Sequence, residues 1–195
     1  MDGFVSQLRT EVRRVIRITD DLMTLSYIED FEPGTDARLV RTDLAKLVTE
    51  VADGATPRAV EKQQSLTVDA PAGLFVMGVA TGLEALVSSL LENAIRYTPT
   101  RGHVTVRTRA EDDSEGLTWA VLSVSDDGVG ISAKNQERVF ERFFRVDRAR
   151  SRTTGGMGLG LSIAQRAAAQ HGGTLEVESE LGVGSTFTVR IPAAQ

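Results

Sequence analysis

A two-layer α/β sandwich led by one long amino-terminal helix is the architecture expected of this chain. Three patterns predict it. Residues 1–30 carry no glycine after Gly3 and no proline, and their apolar positions follow a heptad spacing. Beyond Pro33, short strand-like runs at 65–69, 104–108, 119–124, 174–177 and 186–191 are interleaved with helical periods at about 42–54, 82–98 and 159–171. Two glycine clusters, Asp126-Asp127-Gly128-Val129-Gly130 and Gly155-Gly156-Met157-Gly158-Leu159-Gly160, fall at the end of a strand and at the opening of a helix.

Composition narrows the function classes. The 195 residues are 41% hydrophobic and 25% charged, enough for one full core and a smaller element. With no cysteine there is neither a disulfide nor a thiolate metal site, and the two histidines, His103 and His171, are far apart in sequence. A zinc or redox enzyme is therefore not expected. The net charge of -5 argues against a nucleic-acid surface, which needs a concentrated basic field. The longest uncharged stretch, Ala70 to Leu83, is interrupted by Pro71, Gly73, Gly78 and Gly82, so no membrane segment is expected. Met1-Asp2-Gly3 does not open a secretory signal, and a cytoplasmic location follows as the expectation, compatible with a parent protein anchored through an upstream region.

In the leading helix Met1, Val5, Leu8, Val12, Val15, Thr19, Leu22 and Ser26 are spaced 4,3,4,3,4,3,4, with Ile16 and Met23 widening the apolar face. Such a seam calls for a helical partner in a bundle or coiled coil. Glu32-Pro33-Gly34-Thr35-Asp36 breaks it and marks a linker. Thr42 or Asp43 then caps a helix reaching about Gly54, with Leu44, Leu47, Val48 and Val51 on one face. After the strand at 65–69, Pro71 to Gly73 is read as a turn.

From Gly82 to Thr98, Leu83, Leu86, Leu90 and Ala94 share one helical face, while Ser89, Asn93, Arg96 and Tyr97 form a polar stripe on another; Pro99 ends the helix. The acidic run Glu111 to Gly116 is read as a turn between two strands, the second leading straight into Asp126. A short helix around Lys134 to Phe140 precedes the arginine-rich segment Arg145 to Thr154. Gly172-Gly173 ends the last helix, and two closing strands surround the Gly182-Val183-Gly184 turn.

The glycine clusters point to a nucleotide. A P-loop is excluded, because none of Lys46, Lys62 and Lys134 follows a glycine. The clusters come too late in the chain for a dinucleotide fingerprint, and no His-Arg-Asp triplet marks a eukaryotic-type protein kinase. What remains is a site where amides opening the 159–171 helix face phosphates. Asp126, an acceptor at a strand end, can bind the exocyclic amine of adenine. Asn93 offers a hard oxygen to Mg²⁺, and Arg96 with Arg145, Arg148 and Arg150 can offset phosphate charge.

These residues carry a resemblance. Asn93-Ala94-Ile95-Arg96-Tyr97-Thr98, Asp126 to Gly130, Phe140-Glu141-Arg142-Phe143-Phe144-Arg145 and Gly156-Met157-Gly158-Leu159-Gly160-Leu161 resemble, in order and spacing, the N box, first glycine box, F box and second glycine box of two-component sensor histidine kinases. The likeness covers roughly residues 40–193. It implies the Bergerat (GHKL) fold, a mixed sheet backed by helices with an ATP lid between the last two boxes, and ATP with Mg²⁺ as ligands. It assigns Asp126 to adenine, Asn93 to Mg²⁺, Arg96 and Arg145 to phosphate, and Tyr97 and Ile131 to packing the base. Gly128, Gly130, Gly156, Gly158 and Gly160 shape the pocket, and Leu159 and Thr186 belong to the same nucleotide-contacting set.

Val15 to Glu29, with Asp20-Asp21-Leu22 and Leu25-Ser26, resembles the second helix of that family's dimerisation and phosphoacceptor hairpin. Neither His103 nor His171 has the acidic neighbourhood of a phosphoacceptor. The expected division is residues 1–32 as a truncated hairpin helix, 33–41 as a linker and 42–195 as the catalytic domain. The expected activity is transfer of the ATP γ-phosphoryl to a histidine absent from this chain, for relay to a response regulator, with a homodimer in the full-length protein. Autophosphorylation is not expected of this chain alone. One departure stands out: the N box usually holds a second Asn four residues before Asn93, where this chain has Ser89, a weaker metal ligand. Ser89 also argues against intrinsic ATPase activity, since the hydrolysing relatives keep a glutamate there. A non-catalytic nucleotide-sensing module remains an alternative, as does a superfamily ATPase or anti-sigma serine kinase.

Overall fold

The structure is a computed structural model that describes residues 39–146 and 157–194, together with Leu8, Val12, Val15, Ile16, Ile18 to Asp20 and Leu22 to Ser26. The other sequence expectations, namely Met1 and Val5 of the seam, the 33–38 part of the linker, Arg148, Arg150 and Gly156, lie outside the described residues. Every described residue from Leu8 to Ser26 is helical. Leu25 is buried within the main core, while Leu8, Val12, Val15, Ile16, Leu22 and Met23 are exposed.

Strand β1 (Val40–Asp43) leads into helix α1 (Leu44–Glu61), followed by β2 (Ser65–Asp69), β3 (Phe75–Gly78) and helix α2 (Ala80–Tyr97). Strands β4 (His103–Asp112) and β5 (Thr118–Asp126) make a long hairpin. The short α3 (Ala133–Gln136) and a 3-10 turn (Arg138–Phe140) follow, then helix α4 (Gly160–Gln170) and the closing strands β6 (Thr174–Glu180) and β7 (Gly184–Pro192). The main sheet has the order β2-β4-β5-β7-β6, in which β2 and β4 are parallel and the other pairs antiparallel; β1 and β3 form a separate antiparallel pair.

The register places Val106, Val124 and Phe187 side by side, and Leu122 beside Val189, on one face of the sheet. These residues join Leu47 and Val48 of α1, Leu83, Leu86, Leu90 and Ala94 of α2, and Ile163, Ala164 and Ala167 of α4 in one apolar core. The other face is polar: Ser123 stands between Arg107 and Thr188, and Arg190 reaches Glu111 at 3.4 Å. One sheet face covered by helices and one facing solvent is the two-layer sandwich expected from the alternating runs.

Three local expectations change. Helix α1 does not stop near Gly54 but continues to Glu61 through Gly54 and Pro57, both exposed. Burial of Ala52, Ala55 and Ala59 on its inner side outweighs the low helix propensity of those two residues. Its start is as expected, since Asp43 accepts the Lys46 amide at 3.1 Å. Glu111 and Asp112 belong to β4 rather than to the turn; Asp113 forms the turn itself, accepting the amides of Glu115 and Leu117 at 2.9 Å and Trp119 Nε1 at 2.9 Å. Finally β1 and β3, four residues each, were not apparent in the sequence.

Candidate functional site

Asp126 is the last residue of β5, an interior strand, paired with Val104 on one side and Ser185 on the other. A strand held on both edges fixes the carboxylate firmly. Its Oδ1 accepts the Gly128 amide at 2.9 Å. Burial is the main reason its pKa rises from 3.8 to about 6; the Gly128 bond opposes the rise, the neighbouring Asp127 charge adds to it, and the Ser185 amide opposes it again. Asp127 faces elsewhere. It accepts the His103 amide and meets His103 Nδ1, both at 2.7 Å, tying the turn to the start of β4.

The first glycine cluster runs from this strand end beneath α2. A Cβ on Gly128 would lie 2.8 Å from the Tyr97 carbonyl oxygen, so only glycine lets the turn approach the helix end. The Val129 amide donates to that carbonyl at 3.4 Å. Gly130, at φ +66, rests on the Glu180 carbonyl, and the Ile131 amide donates to Ser179 Oγ at 2.7 Å. Ile131 is half-buried against the core. Thr186, on β7 opposite Ser125, has its hydroxyl 3.0 Å from that of Ser125, one register step from Asp126.

The polar stripe of α2 forms the shared wall. Ser89, Asn93 and Arg96 are half-buried and Tyr97 is exposed. Among the described residues, neither the Ser89 hydroxyl nor the Asn93 amide finds a hydrogen-bond partner, and no carboxylate pairs with Arg96. These groups are free to meet a ligand. Ser89 to Tyr97 spans about 12 Å of helix, long enough to run beside a nucleotide from base to phosphates.

At the Ser89 end the second cluster arrives. A Cβ on Gly160 would sit 3.7 Å from Ser89 Cβ, which places the opening of α4 against the stripe. Leu159, the N-cap residue, is buried, and no side chain caps the first turn of α4. The amides of that first turn have no hydrogen-bond partner among the described residues, a suitable environment for phosphate. Gly158, at φ +77, packs on the Phe144 carbonyl and accepts the Phe143 amide at 2.9 Å, so the F box is hydrogen-bonded to the second glycine cluster. Phe140 anchors that segment edge-on against Phe187, ring centroids 6.4 Å apart, and Arg138 lies over the Phe144 ring. Arg145 follows, half-buried.

The structure thus gathers Ser89, Asn93, Arg96, Tyr97, Asp126, Gly128, Gly130, Ile131, Gly158, Leu159 and Gly160 around one helix and the strand end beside it, whereas Thr186, paired with Ser125, falls on the opposite, polar face of the sheet, and it is Ser185 that stands beside Asp126. Hard oxygen donors at Asn93 and Ser89 suit Mg²⁺. Among the described residues no cluster of three or more His, Cys, Asp or Glu offers another metal site, and no helix is long and apolar enough to cross a membrane. His171 takes no part in the site: it is buried at the far end of α2, where Nε2 accepts the Val79 amide at 3.0 Å and Nδ1 is 2.6 Å from the Ala167 carbonyl. Sequence reasoning missed the Asp127–His103 clasp, whose only sequence trace is the doubled aspartate.

A carboxylate at a strand end, a glycine turn beneath a helix and a second glycine turn opening another helix define an ATP-binding domain of the Bergerat type. Comparison with known proteins agrees. The family described as histidine kinase-, DNA gyrase B- and HSP90-like ATPase matches residues 78–195. The sensor-like histidine kinase SenX3 of Mycolicibacterium smegmatis is 39% identical over 191 residues, covering 97% of this chain and 47% of SenX3. Among solved structures, the mycobacterial sensor histidine kinase MprB is similar with a TM-score of 0.66 at 28% identity, over 80% of this chain and 97% of that one. Full-length ShkA in complex with AMPPNP gives a TM-score of 0.78 at 26% identity, over all of this chain and 39% of that one. The chain belongs to the histidine kinase-, DNA gyrase B- and HSP90-like ATPase family, and it is homologous to sensor histidine kinases. It spans under half the length of SenX3.

Proposed function

We propose that this chain is the ATP-binding catalytic region of a sensor histidine kinase, which holds Mg-ATP and presents its γ-phosphoryl to a histidine of a dimerisation hairpin. The γ-phosphorus to bridging-oxygen bond breaks, a phosphorus–nitrogen bond to the imidazole forms, and ADP leaves. The phosphate then passes to an aspartate of a response regulator. The observation that carries this reading is the placement of the half-buried Asp126 carboxylate and the start of α4 along one polar stripe of α2.

In this reading Asp126 accepts the adenine exocyclic amine, Tyr97 and Ile131 flank the base, and Ser185 stands beside Asp126 in the place expected of Thr186. Asn93 holds Mg²⁺ through its amide oxygen, with Ser89 as a weaker second ligand. Bound Mg²⁺ supplies charge neutralisation on the phosphates. Arg96 and Arg145 offset the remaining charge, and amides at Gly158, Leu159 and Gly160 face the phosphate oxygens. Gly128 and Gly130 shape the pocket by letting its turn close against Tyr97 and Glu180. Catalysis here is positioning and charge stabilisation rather than base chemistry, in keeping with phosphoryl transfer generally. Residues 1–32 would be one helix of the hairpin, and the catalytic domain would begin at β1, whose Val40 and Arg41 pair with β3 inside the expected 33–41 linker, in a parent that acts as a homodimer.

His171 is buried with both nitrogens engaged, and His103, though exposed with only its Nδ1 held by Asp127, lies at a strand start rather than on a hairpin helix; in this reading the acceptor belongs to the hairpin. A separate hairpin bearing the acceptor histidine should therefore become labelled from [γ-³²P]ATP when mixed with this chain. Tight ATP binding without label would count against the kinase reading and favour a second one, a nucleotide-sensing module without catalysis. Ser89, in the place of a stronger metal ligand, is the observation that supports that second reading.

A further inference from the structure

The last turn of α2 carries Arg96 and Tyr97, and its four terminal carbonyls need partners from outside the helix or from its cap. All four are satisfied. The Thr98 amide donates to Ala94 O at 3.0 Å, and the Val129 amide of the first glycine cluster donates to Tyr97 O. The two between them are taken by side chains from the end of α1. Lys62 Nζ donates to Ile95 O at 2.7 Å, to Arg96 O at 3.0 Å and to Thr98 O at 2.7 Å. Gln64 Nε2 donates to Ile95 O at 3.0 Å and to Thr98 O at 2.7 Å. The backbone joins in, because the Arg101 amide donates to Lys62 O and the Ser65 amide to Gly102 O.

We infer that Lys62, seconded by Gln64, is a positioning residue of the nucleotide site, gripping the carbonyl end of α2 so that Tyr97 meets the first glycine cluster and Arg96 and Tyr97 face the ligand. The inference rests on the proposed nucleotide-binding reading. Its logic is mechanical. The Tyr97 carbonyl is where α2 meets Gly128 and Val129, so a rotation of that turn moves the glycine cluster relative to Asp126. A lysine ammonium has three donors, and Lys62 directs one to each of three converging carbonyls. Its charge sits at the negative end of the helix dipole. Burial and the nearby Arg96 guanidinium, in that order, hold Lys62 below the usual lysine range. The same repulsion biases the Arg96 side chain toward an anion.

The test is calorimetric titration of ADP into the wild-type chain, Lys62→Met, Arg58→Ala and Val48→Ala, each confirmed as folded by circular dichroism at the titration temperature. Arg58→Ala cuts another link between α1 and α2, the 2.7 Å pair with Glu92, and Val48→Ala lowers stability through the core of α1. Lys62→Met should bind ADP about tenfold more weakly, while the two controls bind like wild type. Hydrogen exchange at the Val129 amide, measured without nucleotide, should quicken in Lys62→Met and not in the controls. If Lys62→Met does not fold, Lys62→Gln, which keeps two donors, takes its place with a smaller loss expected. A lowered melting temperature with unchanged ADP affinity would overturn the positioning role and leave the nucleotide site standing. No ADP binding by the wild type would overturn the site itself and this role with it.

Discussion

Replacing Asp126 by asparagine should make the ligand-free domain more stable at neutral pH while damaging its nucleotide site. The carboxyl titrates near 3.8 in an unfolded chain and at about 6 in the folded one, chiefly through burial. The folded form therefore holds its proton more tightly. The stabilising contribution is fully present below the unfolded value and is lost as pH rises through about 6, so at neutral pH folding must carry a buried anion. A shift of about two units corresponds to about 3 kcal/mol, and partial solvent access to the group reduces this to about 1–2 kcal/mol. Asparagine keeps an oxygen for the Gly128 amide and carries no charge. Urea unfolding at about pH 7.5 should show Asp126→Asn more stable by that amount, and the gain should shrink toward zero near pH 4. Loss of a charged acceptor should weaken ADP binding by roughly tenfold to a hundredfold. A variant no more stable than wild type at neutral pH, or a gain independent of pH, would refute the claim that the site stores a desolvated charge.

Ser89→Asn should raise the Mg²⁺-dependent part of ATP affinity about threefold to tenfold by supplying a stronger oxygen ligand; equal affinities with and without Mg²⁺ in both chains would contradict it. Gly158→Ala should cost about 1–2 kcal/mol from the left-handed backbone alone, and more because its Cβ would lie 2.6 Å from the Phe144 carbonyl oxygen, with ADP affinity falling in parallel. Burial holds His171 below the usual histidine range, so its contribution to stability is present above about pH 6.5 and is lost as pH falls through the lower folded value. His171→Gln should accordingly be less stable than wild type by about 1–2 kcal/mol at neutral pH, with the gap narrowing toward pH 5. Comparing the two melting curves removes the opposite trend from Asp126.

Much of the sandwich was legible because its signals are local. Leu83, Leu86, Leu90 and Ala94 recur with helical period and are all buried, and β5 announces itself by the mostly apolar stretch Trp119 to Val124 leading into Asp126. Strand β3 was hidden because its four residues follow Pro71 and Gly73, and β1 because Val-Arg-Thr-Asp has no alternation of its own; β1 forms against β3, and β3 is held also by the segment after β7 through Ala193 and Ala194. Helix α1 outran its sequence-based end because three buried alanines outweigh an exposed Gly54 and Pro57. In the site, Asp126, Asn93 and the glycines could be found from residue type and spacing. The grip of Lys62 and Gln64 could not, since it joins side chains to backbone carbonyls more than thirty positions away and leaves no pattern along the chain. The same holds for Asp127 and His103, 24 residues apart.

Because Asp126 ends a strand bonded on both edges, the proposed site would read the two halves of its ligand with parts of the molecule that differ in freedom. Freeing the carboxylate requires breaking β5 from β4 or β7, an event close to global unfolding. The opening turn of α4, by contrast, is joined to the F box through a few backbone contacts around Gly158. In the proposed binding mode, base identity would thus be guarded by the most cooperative part of the fold, and exchange of ADP for ATP would not need any loosening of the sheet.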